Sequence, residues 1–307
     1  MIVCASRRTD IPALYSSWLL NRLEAGYAMT PHPRKPKNLW SVSLSPEHVD
    51  CLVFWTKNPA PMLDKLHSIE SMGHSFYFQF TLTPYDETIE INIPAKIRRI
   101  EIFGNLCRLT GPERIIWRYD PVIIDSYHTC TWHFEQFEYL CSALHKYTKK
   151  CIVSFIDSYR NIKKIFRKAS EAEQWMILSG FSRISSKHGL VLHTCSENIN
   201  AENLNISHAS CVDKNIIENI TGYAITAKRD RNQRPACRCV ESVDIGAYGT
   251  CIHGCRYCYA TFHEDAALRR WNRHDANAPM ITGYPIGDEV VTDRTKPTLK
   301  DLRLRLF

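Results

Sequence analysis

Six short runs rich in apolar residues recur along the first two-thirds of the chain: "MIVCAS" from residue 1, "DCLVFWTKN" from 50, "SFYFQFTLTP" from 75, "RIIWRYDP" from 114, "KCIVSFIDSY" from 150 and "LVLHTCSEN" from 190. The runs are near-continuous rather than alternating, the pattern of parallel strands buried on both faces. Helical spacing appears between them, as in Phe134, Phe137, Cys141 and Leu144. Asp10, just before Ile11 and Pro12, has the chemistry of a helix N-cap. Six βα units in about 200 residues predict an α/β fold, a (β/α) barrel or partial barrel.

Polar residues gather where each predicted strand ends: Arg7, Arg8 and Asp10; Trp55, Lys57 and Asn58; Gln79, Thr81 and Thr83; Arg118 and Asp120; Ser154 and Asp157; Cys195 and Glu197. In a βα barrel those ends form the active-site rim. A turn role is the competing reading for any one of them. Arg7, Arg8, Lys57 and Arg118 suit a carboxylate or phosphate, and Asp120 or Glu197 suits a hydroxyl or amino group. For Arg118 and Asp120 an internal salt bridge is the equal alternative. Trp55 and Tyr119 are suited either to stacking on a base or to the core.

The charged stretch "RDRNQR", residues 229–234, precedes a cysteine-bearing end. It is too short to separate domains, so the expectation is a single domain: a barrel body over 1–245, with a loop and tail over 246–307 packed on it. There is no apolar run long enough for a bilayer, and the opening segment lacks a long signal-like region, so the chain is expected to be cytoplasmic, without a membrane partner. The net charge of +7 fits either a polyanionic partner or an enzyme of anionic metabolites.

Thirteen cysteines in a reducing compartment point to packing or metal ligation rather than disulfides. Cys51, Cys107, Cys130, Cys141 and Cys151 fall in apolar patterns and read as core residues. Cys195, Cys211, Cys237, Cys239, Cys251, Cys255 and Cys258 fall in polar surroundings. In "GTCIHGCRYCYA" three cysteines stand four and then three positions apart, with Tyr257 ahead of the last. An iron–sulfur cluster held by only three thiolates keeps one iron open to a small molecule. A structural zinc site more often uses two pairs.

The arrangement of Cys251, Cys255, Tyr257 and Cys258 resembles the cluster motif of radical S-adenosylmethionine enzymes, and "GCRYCY" is similar to that of spore photoproduct lyase and its relatives. The resemblance implies a 4Fe–4S cluster on Cys251, Cys255 and Cys258. S-adenosylmethionine would chelate its open iron and be cleaved to a 5′-deoxyadenosyl radical. Under this reading Arg118, Asp120 and Lys57 are the candidate catalytic residues, and Arg7, Arg8, Asp10, Tyr257 and Glu197 the candidate S-adenosylmethionine contacts. A reductant such as flavodoxin or ferredoxin is the implied partner.

The motif normally follows the first barrel strand, whereas here it lies near residue 250. With "SRRTDIPALY", "VFWTKNPAPML", "FQFTLTPY", "WRYDP" and "RPACRCVESVDIGAYGTCIHGCRYCYA", the chain resembles a bacterial family of unknown function that carries a radical-S-adenosylmethionine-like cysteine cluster at its C-terminus. A circular permutation would reconcile the two facts: "VDIGAYG" would supply the strand leading into the cluster loop, and "MIVCAS" would lie beside it.

Cys195, Cys211, Cys237 and Cys239 would suffice for a second iron–sulfur cluster or a zinc site, with His193 and His208 as alternates. The alternative is that they are unrelated loop thiols. The substrate expectation is nucleic acid or a nucleotide, with a small metabolite or peptide as the alternative. A non-catalytic, zinc- or cluster-stapled nucleic-acid-binding module is the rival class. The final Leu304, Arg305, Leu306 and Phe307 are similar to sliding-clamp docking peptides, although Arg303 replaces their usual glutamine.

Overall fold

The computed structural model describes residues 1–33, 35–157, 159, 162 and 165–303. The tail at Leu304–Phe307, with its clamp-like pattern, lies outside the described residues. The six apolar runs form β1 (Ile2–Ala5), β4 (Cys51–Thr56), β5 (Phe76–Thr81), β6 (Ile115–Val122), β7 (Lys150–Phe155) and β8 (Val191–Thr194). Between β1 and β4 lie β2 (Tyr27–His32) and β3 (Lys35–Ser43). β9 (Ser207–His208), β10 (Val243–Asp244) and β11 (Val290–Asp293) follow.

The helices are α1 (Ile11–Leu14), α2 (Ser16–Glu24), α3 (Leu66–Ser71), α4 (Lys96–Thr110), α5 (Cys130–Leu144), α6 (Glu171–Lys187), α7 (Lys214–Thr221) and α8 (Glu264–Asn272). Asp10 caps α1 as expected, accepting from the Ala13 amide at 3.0 Å. Thr129 caps α5, and Ser170 with Glu173 forms a reciprocal capping box on α6.

Eight strands form one sheet in the order β10-β1-β4-β5-β6-β7-β8-β9, and every pairing in it is parallel. Each strand sends alternate residues to two separate cores, which explains the continuous apolar runs. Val3, Ala5, Phe54, Phe78 and Trp117 pack in the core shared with α1 to α6, where Phe137 of α5 and Phe181 of α6 stack at 3.8 Å. Ile2, Cys4, Val53, Tyr77 and Ile116 face the other way.

The expected barrel does not close: β10 and β9 are the two edges, and they do not pair among the described residues. The second face is instead covered by the chain from Cys211 to Val240, including Ile216 and Ile217 of α7. That segment supplies the burial that a closed barrel would obtain from its own strands.

A separate three-stranded sheet, β11-β3-β2, was not visible in the hydrophobic pattern. Pro31 sits inside β2, and the pairing shifts between Pro31 and His32, so the sequence reads as a broken strand. The later part of the chain ties this region to α2: Trp18 Nε1 donates to Ala278 O at 2.9 Å, and Met29 N to Pro279 O at 2.8 Å.

Candidate metal centres

β10 runs parallel to β1, pairing Val243 with Val3 and Asp244 with Cys4, and then leads into the three-cysteine loop. At the junction Asp244 accepts from Ser6 Oγ, from the Arg7 amide and from the Gly246 amide. Gly246 is needed here because a Cβ would run into Ser6 Oγ. The loop is thereby fixed at the C-terminal ends of β10 and β1.

Three elements clamp the loop. The Tyr15 hydroxyl donates to Thr250 O at 2.6 Å. Residues 89–92, after β5, run alongside it: Cys255 bridges Glu90, Asn92 N donates to His253 O at 2.9 Å, and Arg256 N to Ile89 O at 3.0 Å. His253 Nε2 lies 2.9 Å from Asp10 Oδ2, both side chains being buried. Gly254 adopts φ +66°, and a Cβ there would sit 3.2 Å from Ile91 Cβ.

Cys251, Cys255 and Cys258 are half-buried within this clamp. Burial pushes the Cys251 thiol up to about 12, with Cys258 and Asp10 adding to the effect. Burial also raises Cys255, against the pull of Lys57, and both other cysteines add to it. The three thiols therefore lie within one another's field on a single loop.

Beside them is a buried ion network. Glu90 is 1% exposed and accepts from Lys57 Nζ at 2.8 Å, from Thr83 Oγ1 at 2.6 Å and from the Tyr257 hydroxyl, while Arg99 Nη1 lies 3.0 Å away. Burial alone would raise its pKa, but Lys57 and Arg99 hold it at about 2. Asp10 also accepts from the Lys57 amide at 2.7 Å, so β1, β4 and the loop meet at one carboxylate. Sequence reasoning found Asp10, Lys57 and Tyr257. It missed Glu90, Arg99 and His253, although His253 stands inside the motif. A cavity of about 330 Å³ borders this region, lined in part by Asn58, Asn92, Ile252 and His253.

A second thiol group lies under the covering segment. Cys195, which follows β8, places its sulfur 3.2 Å from that of Cys211. The amide of Val212, next to Cys211, donates to Cys239 Sγ at 3.3 Å, and Cys237 stands on the same turn as Cys239. Hydrogen bonding from Cys239 lowers Cys237 to about 7, whereas contact with Cys211, then burial, raises Cys195. Arg118 gives Nε and Nη2 to Asp120 and points Nη1 at Cys211 Sγ, 2.8 Å away. Arg118 is 5% exposed, so it and Asp120 form an internal ion pair that reaches a sulfur.

The remaining sequence candidates are dispersed around these groups. Arg7 lies over the Trp55 ring at 4.7 Å, and Arg8 over Tyr248 at 5.3 Å with Nη1 on Gly246 O. Glu197 accepts from the Phe155 amide at 2.9 Å, and burial raises it to about 7. Asp157 pairs with Arg234 and Ser154 bonds Asp120. Gln79 Nε2 donates to Cys211 O. His193 and His208 each have a hydroxyl partner, Ser207 and Thr194. Of the cysteines read as core, Cys51, Cys141 and Cys151 are fully buried and Cys107 and Cys130 partly so. Among the described residues no group of three or more His, Cys, Asp or Glu side chains stands as a ready-made ion cage, and no helix is long and apolar enough to cross a membrane.

An open parallel α/β sheet with two thiol groups toward the C-terminal ends of its strands defines the class of the protein. Residues 2–260 match the family model described as Domain of unknown function (DUF1848), and the chain belongs to that family. No curated protein matches it. Among solved structures, one from Bacteroides thetaiotaomicron VPI-5482, provisionally assigned as an alpha-L-fucosidase, is 10% identical and covers 75% of this chain and 83% of its own, with a TM-score of 0.28. That score is too low for the likeness to bear on function.

Proposed function

We propose that the protein is a radical S-adenosylmethionine enzyme built on a permuted partial barrel. The observation that carries this reading is the position of the Cys251–Cys258 loop. It leaves a strand that comes late in sequence yet pairs beside β1, and it rests on the strand ends bearing Asp10 and Lys57.

The donor set suits a 4Fe–4S cluster: three half-buried thiols on one loop, which is clamped by Tyr15, by residues 89–92 and by the Asp10–His253 pair. When bound, such a cluster supplies one electron to the sulfonium of S-adenosylmethionine. The chain's own residues then have distinct tasks. Asp10 and His253 fix the loop against α1, while Glu90 anchors Tyr257 and Lys57 beside it. The Lys57 ammonium pulls against the burial that raises the Cys255 thiol, so it eases loss of that proton to a bound metal. A reductant of the flavodoxin or ferredoxin class would deliver the electron.

For the substrate we propose a nucleotide or nucleic acid. Support comes from the net charge of +7 and from a cavity of about 330 Å³ lined by Arg269, Arg270, Arg273 and His274. Arg270 also donates to Gly249 O at 2.8 Å, which joins this basic face to the start of the cluster loop. The first test is anaerobic reconstitution followed by iron and sulfide analysis. About four of each are expected per chain if only this loop carries a cluster. Absence of both, with the fold intact, would reject the enzyme reading.

A further inference from the structure

The second thiol group plays no part in the radical chemistry proposed for the loop, and it has the features of a site in its own right. Its four cysteines come from three separate stretches of chain that the fold stitches together. Cys195 N donates to Val153 O at 3.0 Å, setting that residue at the end of β8. Tyr77 and Gln79, pointing out of β5, both donate to Cys211 O, at 2.6 and 3.0 Å. The Cys237–Cys239 turn is tied to the Cys211 loop by Val240 N on Val212 O at 3.1 Å and by Ser210 Oγ on Arg238 O at 2.8 Å. Arg229 and Asp230 brace the same turn through Cys237 O and Cys239 O. All four side chains are under 9% exposed.

Core cysteines need only apolar neighbours, as Cys51 and Cys151 have. Two of these four instead have nitrogen donors aimed at sulfur, and a third, Cys195, has its sulfur against that of Cys211. Arg118 Nη1 is 2.8 Å from Cys211 Sγ, and the Val212 amide is 3.3 Å from Cys239 Sγ. Arg7 lies in the field of Cys4, Cys239 and Cys211, and its Nη2 is buried with no hydrogen-bond partner. A buried guanidinium N–H without an acceptor is costly, and a neutral thiol is a weak acceptor. A thiolate at Cys211 would satisfy the Arg118 guanidinium, and four neighbouring sulfurs become thiolates together when a cation displaces their protons.

We propose that Cys195, Cys211, Cys237 and Cys239 bind one tetrahedral ion of the zinc class, separate from the Cys251–Cys258 loop. One divalent ion replaces four thiol protons, which leave to solvent, and no electron is transferred. The scale of the group selects the ion. Zinc–sulfur bonds of about 2.3 Å place tetrahedral sulfurs roughly 3.8 Å apart. Cys195 and Cys211 are already at 3.2 Å, so they need to part only slightly, whereas a cubane cluster holds its thiolates on different irons and farther apart. Cys239 and Cys237 lie on the turn tied to the Cys211 loop, and binding would draw the four sulfurs into one cage. A cavity of about 400 Å³ lined by His208, Arg229, Pro235, Ala236, Arg238 and Val240 flanks the turn and offers an entry path.

The site spans the three stretches that cover the second sheet face, so its role would be to pin that cover where a closed barrel would have none. The experiment uses the full chain with Cys251, Cys255 and Cys258 all changed to alanine, which leaves only this group to hold metal. Elemental analysis is expected to find one zinc per chain, and cobalt(II) added to the metal-stripped variant to give the spectrum of a tetrahedral four-thiolate site. Cys237→Ser in the same background should weaken cobalt affinity by at least tenfold. Iron in place of zinc overturns the proposal, as does a folded, metal-free protein that takes up no cobalt or contains a Cys195–Cys211 disulfide by mass spectrometry. Because the variant lacks the loop cysteines, either outcome leaves the cluster reading to its own test.

Discussion

At the level of single residues, the clearest commitments are Glu90 and Gly254. Glu90 is a buried carboxylate that faces Lys57, Arg99, Thr83 and Tyr257 at once, so removing its charge strands two cations. Glu90→Gln is expected to cost about 3–5 kcal/mol, the usual penalty for breaking a buried pair from one side. Urea denaturation would measure it, and a loss under about 1 kcal/mol would show that the network is not held together by this charge. Gly254→Ala meets both a left-handed backbone and Ile91, and should cost about 1–2 kcal/mol while lowering iron uptake at the loop. The spacing of Cys251, Cys255 and Cys258 was legible in the sequence, whereas Cys195, Cys211, Cys237 and Cys239, read as standing in polar surroundings, are buried in an apolar cluster. Glu90 was not legible, since a carboxylate in "DETIEINIP" carries no period, and only the fold brings residues 89–92 against the three-cysteine loop.

The elements divide in the same way. All six apolar runs became strands of one sheet, because burial on both faces imposes a pattern strong enough to read without context. β9 and β10 are two residues long and β2 contains a proline, so each depends on a partner that local sequence does not reveal. Closure failed as an expectation for a similar reason: nothing in a strand's own pattern says whether its second face meets other strands or a covering segment.

Two histidines add a pH dependence to the packing of the elements. His74 is buried with neither ring nitrogen bonded, and burial lowers it to about 4. His133 is also lowered to about 4 by burial, despite partners in Tyr119 and Ile123 O. Both are held neutral in the fold, while the unfolded chain takes up protons below about 6.5. The histidine contribution is therefore complete above that value and declines as pH falls toward 4, by about 2 kcal/mol per histidine at pH 5, while Glu197, raised to about 7, works in the opposite direction over the same window and offsets about one histidine. Comparing urea midpoints at pH 7.5 and 5 tests this. His74→Leu should raise stability at pH 5 relative to pH 7.5 by about 2 kcal/mol compared with the native chain, and an unchanged pH dependence would refute the assignment.

For the whole molecule, the open sheet places two thiol groups and a basic face around the C-terminal ends of its strands. Arg7 and Arg118, read from the sequence as ligands for anions, are largely committed inside the protein, which leaves Arg8 and the arginines of α8 to meet a polyanion. Short DNA or RNA should bind at low salt, with affinity falling as counterions are released. Arg269→Glu with Arg273→Glu should weaken binding and flatten the salt slope by about one for each phosphate no longer neutralised. A flat anisotropy titration of the reconstituted protein with S-adenosylmethionine present would redirect the substrate search to small metabolites and peptides.

The most direct test of the central claim is product analysis after reduction. Anaerobically reconstituted protein is mixed with S-adenosylmethionine and dithionite, and 5′-deoxyadenosine is quantified by chromatography beside a Cys258→Ala control whose fold is verified by circular dichroism. The expected result is reductant-dependent 5′-deoxyadenosine from the native chain and none from the variant. Equal product from both, or none from a native chain shown to carry its iron and sulfide, would contradict the account.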